Sequence, residues 1–150
     1  MKIENGDREL VDALTKGNAG ATDFVILAHN WFHAIDDIVD GEITDLPRKQ
    51  KVVETFAAGI VVLSHPFYLQ NLPALRMTVL QISQLYALSV KWEGAAEAWK
   101  RQWAETQRRA GMELMIAVAM ICGGWAHAQA MAEQMTAAML AEEAAAVRTE

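Results

Sequence analysis

A chain of 150 residues is long enough to bury a core and short enough to form one domain. Its formal net charge of −6 argues against nucleic acid as the main partner, and its single cysteine, Cys122, excludes an internal disulfide. Hydrophobic residues make up 53%, with eight methionines, five tryptophans and only three prolines, a composition that favours helices.

Taken in order, Met1-Lys2-Ile3-Glu4-Asn5-Gly6-Asp7 has no signal-peptide character. Asp7 to Lys16 reads as a short helix, capped by Asp7 and stopped by Gly17. After a loop, Asn18 or Thr22 caps a long helix that runs to about Asp40 and ends at Gly41. Thr44 or Asp45 caps the next, with Pro47 in its first turn, where the missing N–H costs nothing. It runs to about Ser64, and Val53, Phe56, Ala57, Ile60 and Leu63 read as its core face. His65-Pro66-Phe67-Tyr68 breaks the chain, because Pro66 disfavours a helical His65.

A further helix covers about Leu72 to Trp92, with the stripe Leu75, Val79, Ile82 and Tyr86. Gly94 marks a joint. The pattern is again helical from about Ala95 to Cys122, with a bend expected at Gly111. Gly123-Gly124 breaks it, and an alanine-rich helix follows from Trp125 to about Val147. The longest apolar run, Leu114 to Cys122, is too short to span a bilayer and has Glu113 beside it, so no membrane segment and a cytoplasmic protein are expected. Cys122 in that run reads as a buried structural thiol. The expected fold class is all-α: one domain over residues 1–150, an antiparallel bundle of about five main helices, with residues 1–20 as an N-terminal arm or short helix. The tryptophan and methionine content predicts a homodimer, with the Trp92–Trp103 segment as a contact and the Met131, Met135, Met139 stripe as core or dimer contact.

Chemistry concentrates between residues 29 and 42, where two histidines and four acids fall in fourteen positions. At about 100° per residue, His29, His33, Asp36 and Asp40 form one helical stripe with Asp37 at its edge. Phe24, Leu27, Ala28, Trp31, Ile35 and Ile38 form the other side. The stripe holds no Lys or Arg, so its carboxylates repel unless a cation sits between them. A divalent metal, Mg²⁺ or Mn²⁺, is the expected cofactor, with Asp36, Asp37, Asp40, His33 and His29 as candidate ligands. The alternative is a solvated acidic face near a helix end. Glu113 opens an apolar run and needs a partner or a cation. Either it pairs with Arg109, or it or Glu105 faces the acidic stripe as a further ligand. Arg101, Arg108 and Arg109 would then be available to a phosphate or carboxylate, Arg109 above all. His65 and His127 read as structural, and Trp92, Trp99 and Trp103 as core or interface anchors.

Asp36-Asp37-Ile38-Val39-Asp40 is a DDxxD and resembles the aspartate-rich motif of class I isoprenoid synthases. That resemblance implies Mg²⁺-assisted binding of a diphosphate. The chain lacks a second DDxxD and an NxxSxxxE, and those enzymes are about twice as long. A broader likeness is to small phage and prophage proteins that carry a His, a DDxxDG(D/E) segment, an Asn/His-Pro-Phe-Tyr turn and a later Gly-Gly. Here these are His29 or His33, Asp36 to Glu42, His65 to Tyr68, and Gly123-Gly124. It implies a phage setting without an assigned activity. The functional expectation is a metal-binding helical protein acting on a phosphate- or diphosphate-bearing small molecule. The alternatives are a non-enzymatic phage accessory protein, or an all-α nucleotide pyrophosphohydrolase. The last is weakened because Glu93 and Glu97 are spaced ExxxE where ExxE is needed.

Overall fold

The computed structural model describes the backbone of residues 5–43, 46–108 and 111–146, and side chains from residue 8 to 140 within those ranges. Among them are seven helices and no strand: α1 (Asn5–Thr15), α2 (Ala19–Asp40), α3 (Arg48–Leu63), α4 (Pro66–Gln70), α5 (Leu72–Trp92), α6 (Ala98–Gln107) and α7 (Gly111–Ala146). The fold is all-α, as composition and periodicity predict.

Most boundaries have a local cause. The Asn18 side chain accepts from the Ala21 N–H at 3.1 Å and caps α2. Gly41, at φ 77, closes it in the left-handed region, where a side chain would be strained. His65 caps α4, its Nδ1 accepting from the Phe67 N–H at 3.2 Å, while its Nε2 lies 3.2 Å from Asp23 Oδ2. The break expected at His65-Pro66 is therefore a real stop, followed by a five-residue helix. α1 begins at Asn5, ahead of Asp7. Pro47 occupies the N-cap position of α3, one place before the first turn. The caps expected from Thr44 and Asp45, the pairing of Arg109 with Glu113 and the end at Val147 lie outside the described residues.

α7 contains the chain's sharpest feature. Gly124 has φ 75 and ψ −175, so the helical path breaks there. Stretch 111–140 is long and apolar enough to cross a membrane. It is divided by this break; Leu114, Val118, Ala119, Ala128, Met131 and Met135 are buried in the core, while only 28% of its apolar window is buried in all. Just beyond the break, His127 Nε2 meets the Leu14 carbonyl at 2.8 Å and ties α7 to α1.

The core lies where α1, α2, α5 and α7 meet, with Phe24, Leu14, Val25, Leu75 and Val118 among its fully buried side chains. In α5, Leu75, Val79 and Ile82 are buried as the periodicity predicts. In α3 the expectation fails. Val53, Phe56, Ala57, Ile60 and Leu63 are exposed, and the side facing α2 is made of Thr55, Gly59 and Val62. A Cβ placed on Gly59 would come within 2.8 Å of the Trp31 indole, so the glycine is what admits Trp31 between the two helices.

Candidate functional site

α2 places its His29–Asp36 stripe along one wall of a cavity of about 640 Å³. Phe24 enters the core, while His29, His33 and Asp36 face the cavity beside Ala28, Trp31 and Ile35, so residues of the polar stripe and of the apolar side share one wall. The opposite walls come from α1, α5 and α7. Met112 and Met115 reach the cavity from before Gly124, Met135 and Met139 from after it. In a straight helix Met112 and Met139 would stand about 40 Å apart. The break at Gly124 therefore folds α7 back on itself, and both limbs line one space.

The polar groups gather along α2 and at the end of α6. Tyr86 donates to Asp36 Oδ1 at 2.7 Å. Arg108, just after α6, donates to both oxygens of Asp40, at 2.9 and 3.1 Å, and to Glu93. Burial and the bond to Asp36 push the Tyr86 hydroxyl well above its ordinary range. It stays protonated and remains a donor. Burial alone would lower the Arg108 pKa, but the Asp40 and Glu93 carboxylates outweigh it and hold the guanidinium charged. The His29 and His33 rings meet edge to face, centroids 4.3 Å apart. Burial, then the neighbouring His29, lowers the His33 pKa below 6.5, so its imidazole is neutral at pH 7.

The three aspartates of the DDxxD part company. Asp36 turns to Tyr86 on α5, Asp37 to Lys51 on α3 at 3.5 Å, and Asp40 to Arg108. Cations do compensate this acidic helix end, and two of them are side chains from other elements, Lys51 and Arg108. Among the described residues no group of three or more His, Cys, Asp or Glu is placed to hold a metal ion. Asp36, His33 and His29 share the cavity wall; Asp37, Asp40 and Glu113 are not among the lining residues. Glu105 is exposed on α6 and Arg101 donates to the Ala95 and Ala96 carbonyls. Arg109 lies outside the described residues. The remaining singletons hold structure: His65 caps α4, and Trp92 packs edge-on against Trp99 and Trp103. Cys122, expected to be buried, is only half-buried; that partial burial raises its pKa and keeps the thiol protonated.

Reasoning from sequence missed Tyr86 as a polar group, reading it only as the end of a core stripe. A tyrosine closing an apolar stripe is a signal in itself, since a buried hydroxyl needs a partner. Compared with protein-family models, curated proteins and solved structures, the chain matches none of them.

Proposed function

We propose that the protein binds a small amphipathic molecule, its apolar body among the methionines and its polar head at Asp36, Tyr86 and Arg108. The observation that carries this reading is the cavity. At about 640 Å³ it has the size of a small-molecule site, and it is apolar apart from a few converging polar groups. Thioether side chains adapt to varied ligand shapes, and four of them line it. Charge narrows the head group. Three carboxylates, Asp36, Asp40 and Glu93, stand near one guanidinium that two of them already hold. Neutral His33 adds no charge. A cationic or hydrogen-bond-donating head therefore suits Asp36 better than a bare anion.

A second reading retains the divalent metal and a phosphate- or diphosphate-bearing ligand. What favours it is that Asp36, His33 and His29 share the cavity wall, near Arg108. An anionic head there needs Mg²⁺ or Mn²⁺ to offset the carboxylates. Asp37 or Asp40 would then exchange Lys51 or Arg108 for the metal.

Trp31 lines the cavity and, with the other four tryptophans replaced by phenylalanine, serves as a fluorescent reporter. Titration with decylamine is expected to be saturable at one molecule per chain and to raise Tm. Asp36→Asn, which keeps an acceptor for Tyr86, should weaken it about tenfold through loss of the charged contact. Geranyl diphosphate binding only with Mg²⁺ or Mn²⁺, and decylamine not at all, would decide for the second reading. Saturable binding of neither probe would remove both.

A further inference from the structure

α3 is inverted for a helix that touches only its own chain. Its inward side is small: Thr55, Gly59 and Val62 seat it on α2 beside Trp31. Its bulky apolar residues point away. Phe56 is 71% exposed and Val53 67%, and Val52, Ile60, Val61 and Leu63 are exposed with them. At about 100° per residue these six cover roughly half of the helix circumference. α3 makes its main contact with α2 and a minor one with α4, so none of the other described helices shields this face.

We propose that a second copy of this chain covers it, the two α3 helices packing antiparallel across a two-fold axis at Phe56. Three observations favour a copy over any other occupant. The first is area. The six side chains present on the order of 600 Å² per copy, at the upper end of the largest apolar patch on a typical monomer. Fully covered, the two faces would bury at most on the order of 1,200 Å², which just reaches the lower bound for a stable interface.

The second is self-complementarity. Phe56 sits at the middle of the stripe, with Val52 and Val53 one turn before it and Ile60 and Leu63 after it. Antiparallel pairing sets Phe56 on its counterpart and each Val52 against the copy's Ile60, while Leu63 falls opposite the stem of the copy's Lys49. A two-fold contact needs that arrangement.

The third is charge. Arg48 and Lys49 are exposed at the N-terminal end of α3. Beyond its C-terminal end stands Asp23, its side chain 69% exposed, held by His65. Antiparallel packing brings each basic end towards the C-terminal end of the other copy's α3, the favourable sense for the helix dipole.

The test is mass in solution together with cross-linking. By light scattering at micromolar concentration the wild type should weigh twice 16.6 kDa. The Phe56→Asp, Ile60→Asp double variant should keep its helical circular dichroism and self-associate at least a hundredfold more weakly. Should that variant unfold, a second arm decides. In a Cys122→Ser background, Phe56→Cys should be joined to its copy by a short bis-maleimide. Val39→Cys, on α2, should not. A monomeric wild type overturns the proposal, as does a dimer that survives the double variant or a Phe56→Cys chain that fails to cross-link. Sedimentation of a monomeric wild type with phosphatidylglycerol vesicles overturns it in favour of a membrane surface.

Discussion

In α5, Leu75, Val79 and Ile82 recur at helical spacing and all three are buried; in α3, Val53, Phe56, Ile60 and Leu63 recur at the same spacing and all four are exposed. The two helices differ in what lies on their other side. Apart from Leu72, Met77 and Leu80, the outer face of α5 is largely polar or small, with Arg76, Gln81, Gln84 and Ala87. Only one of its faces is suited to the core. α3 has two apolar faces. One is bulky; the other, Thr55, Gly59 and Val62, is nearly flat. The flat face lets two backbones approach closely around Trp31, and the bulky one cannot. Where both faces of a helix are apolar, side-chain size decides which of them its own chain takes up.

Four substitutions probe this contrast. The largest effect is expected for Leu75→Ala, at a fully buried position: a loss of about 2–5 kcal/mol in chemical denaturation, independent of protein concentration. Phe56→Ala should instead cost stability only at concentrations where copies associate. Equal and concentration-independent losses would erase the difference between the helices. Next is Gly59→Val, which drives a side chain into Trp31 and should cost about 1–3 kcal/mol by overpacking. A shift in the Trp31 emission should accompany it, and an unchanged spectrum would mean that α3 does not seat on the indole. The smallest is a gain. The Thr55 hydroxyl is buried and, among the described residues, has no hydrogen-bond partner. Thr55→Val keeps the shape and should raise stability by about 1 kcal/mol, read as a higher Tm. A lower Tm would mean that the hydroxyl is satisfied.

These cases also mark what was legible beforehand. Helix existence and several ends were, because Asn18, Gly41, Pro66 and Gly124 act through their own backbone chemistry. The orientation of α3 was not. Periodicity reports that a stripe exists and is silent on what faces it. The Thr55–Gly59 spacing, two small residues one turn apart, is the signal that close packing leaves in a sequence. The site divides the same way. His29, His33 and Asp36 form one stripe, and the structure turns that stripe into a cavity wall. Their partners come from afar: Tyr86 is 50 residues from Asp36, and Arg108 is 68 from Asp40. No local pattern links such pairs. The acidic helix end did call for cations, and the sequence could not say that Lys51 and Arg108 would supply two of them.

The bond between His127 and Leu14 joins residues 113 apart. α1 packs on α2 and α7, so part of its apolar side waits for the last helix. During synthesis at about 5–20 residues per second, roughly 6 to 23 s pass between the appearance of Leu14 and that of His127. For that interval Val11, Leu14 and Val25 lack the α7 side of their packing. The nascent chain is then a stack of helices with an open seam, and folding should finish late, as contacts of long sequence separation require. Closure at the Gly124 bend completes the seam and the cavity in one event, so a chain stalled before α7 should be the form that chaperones hold and proteases cut.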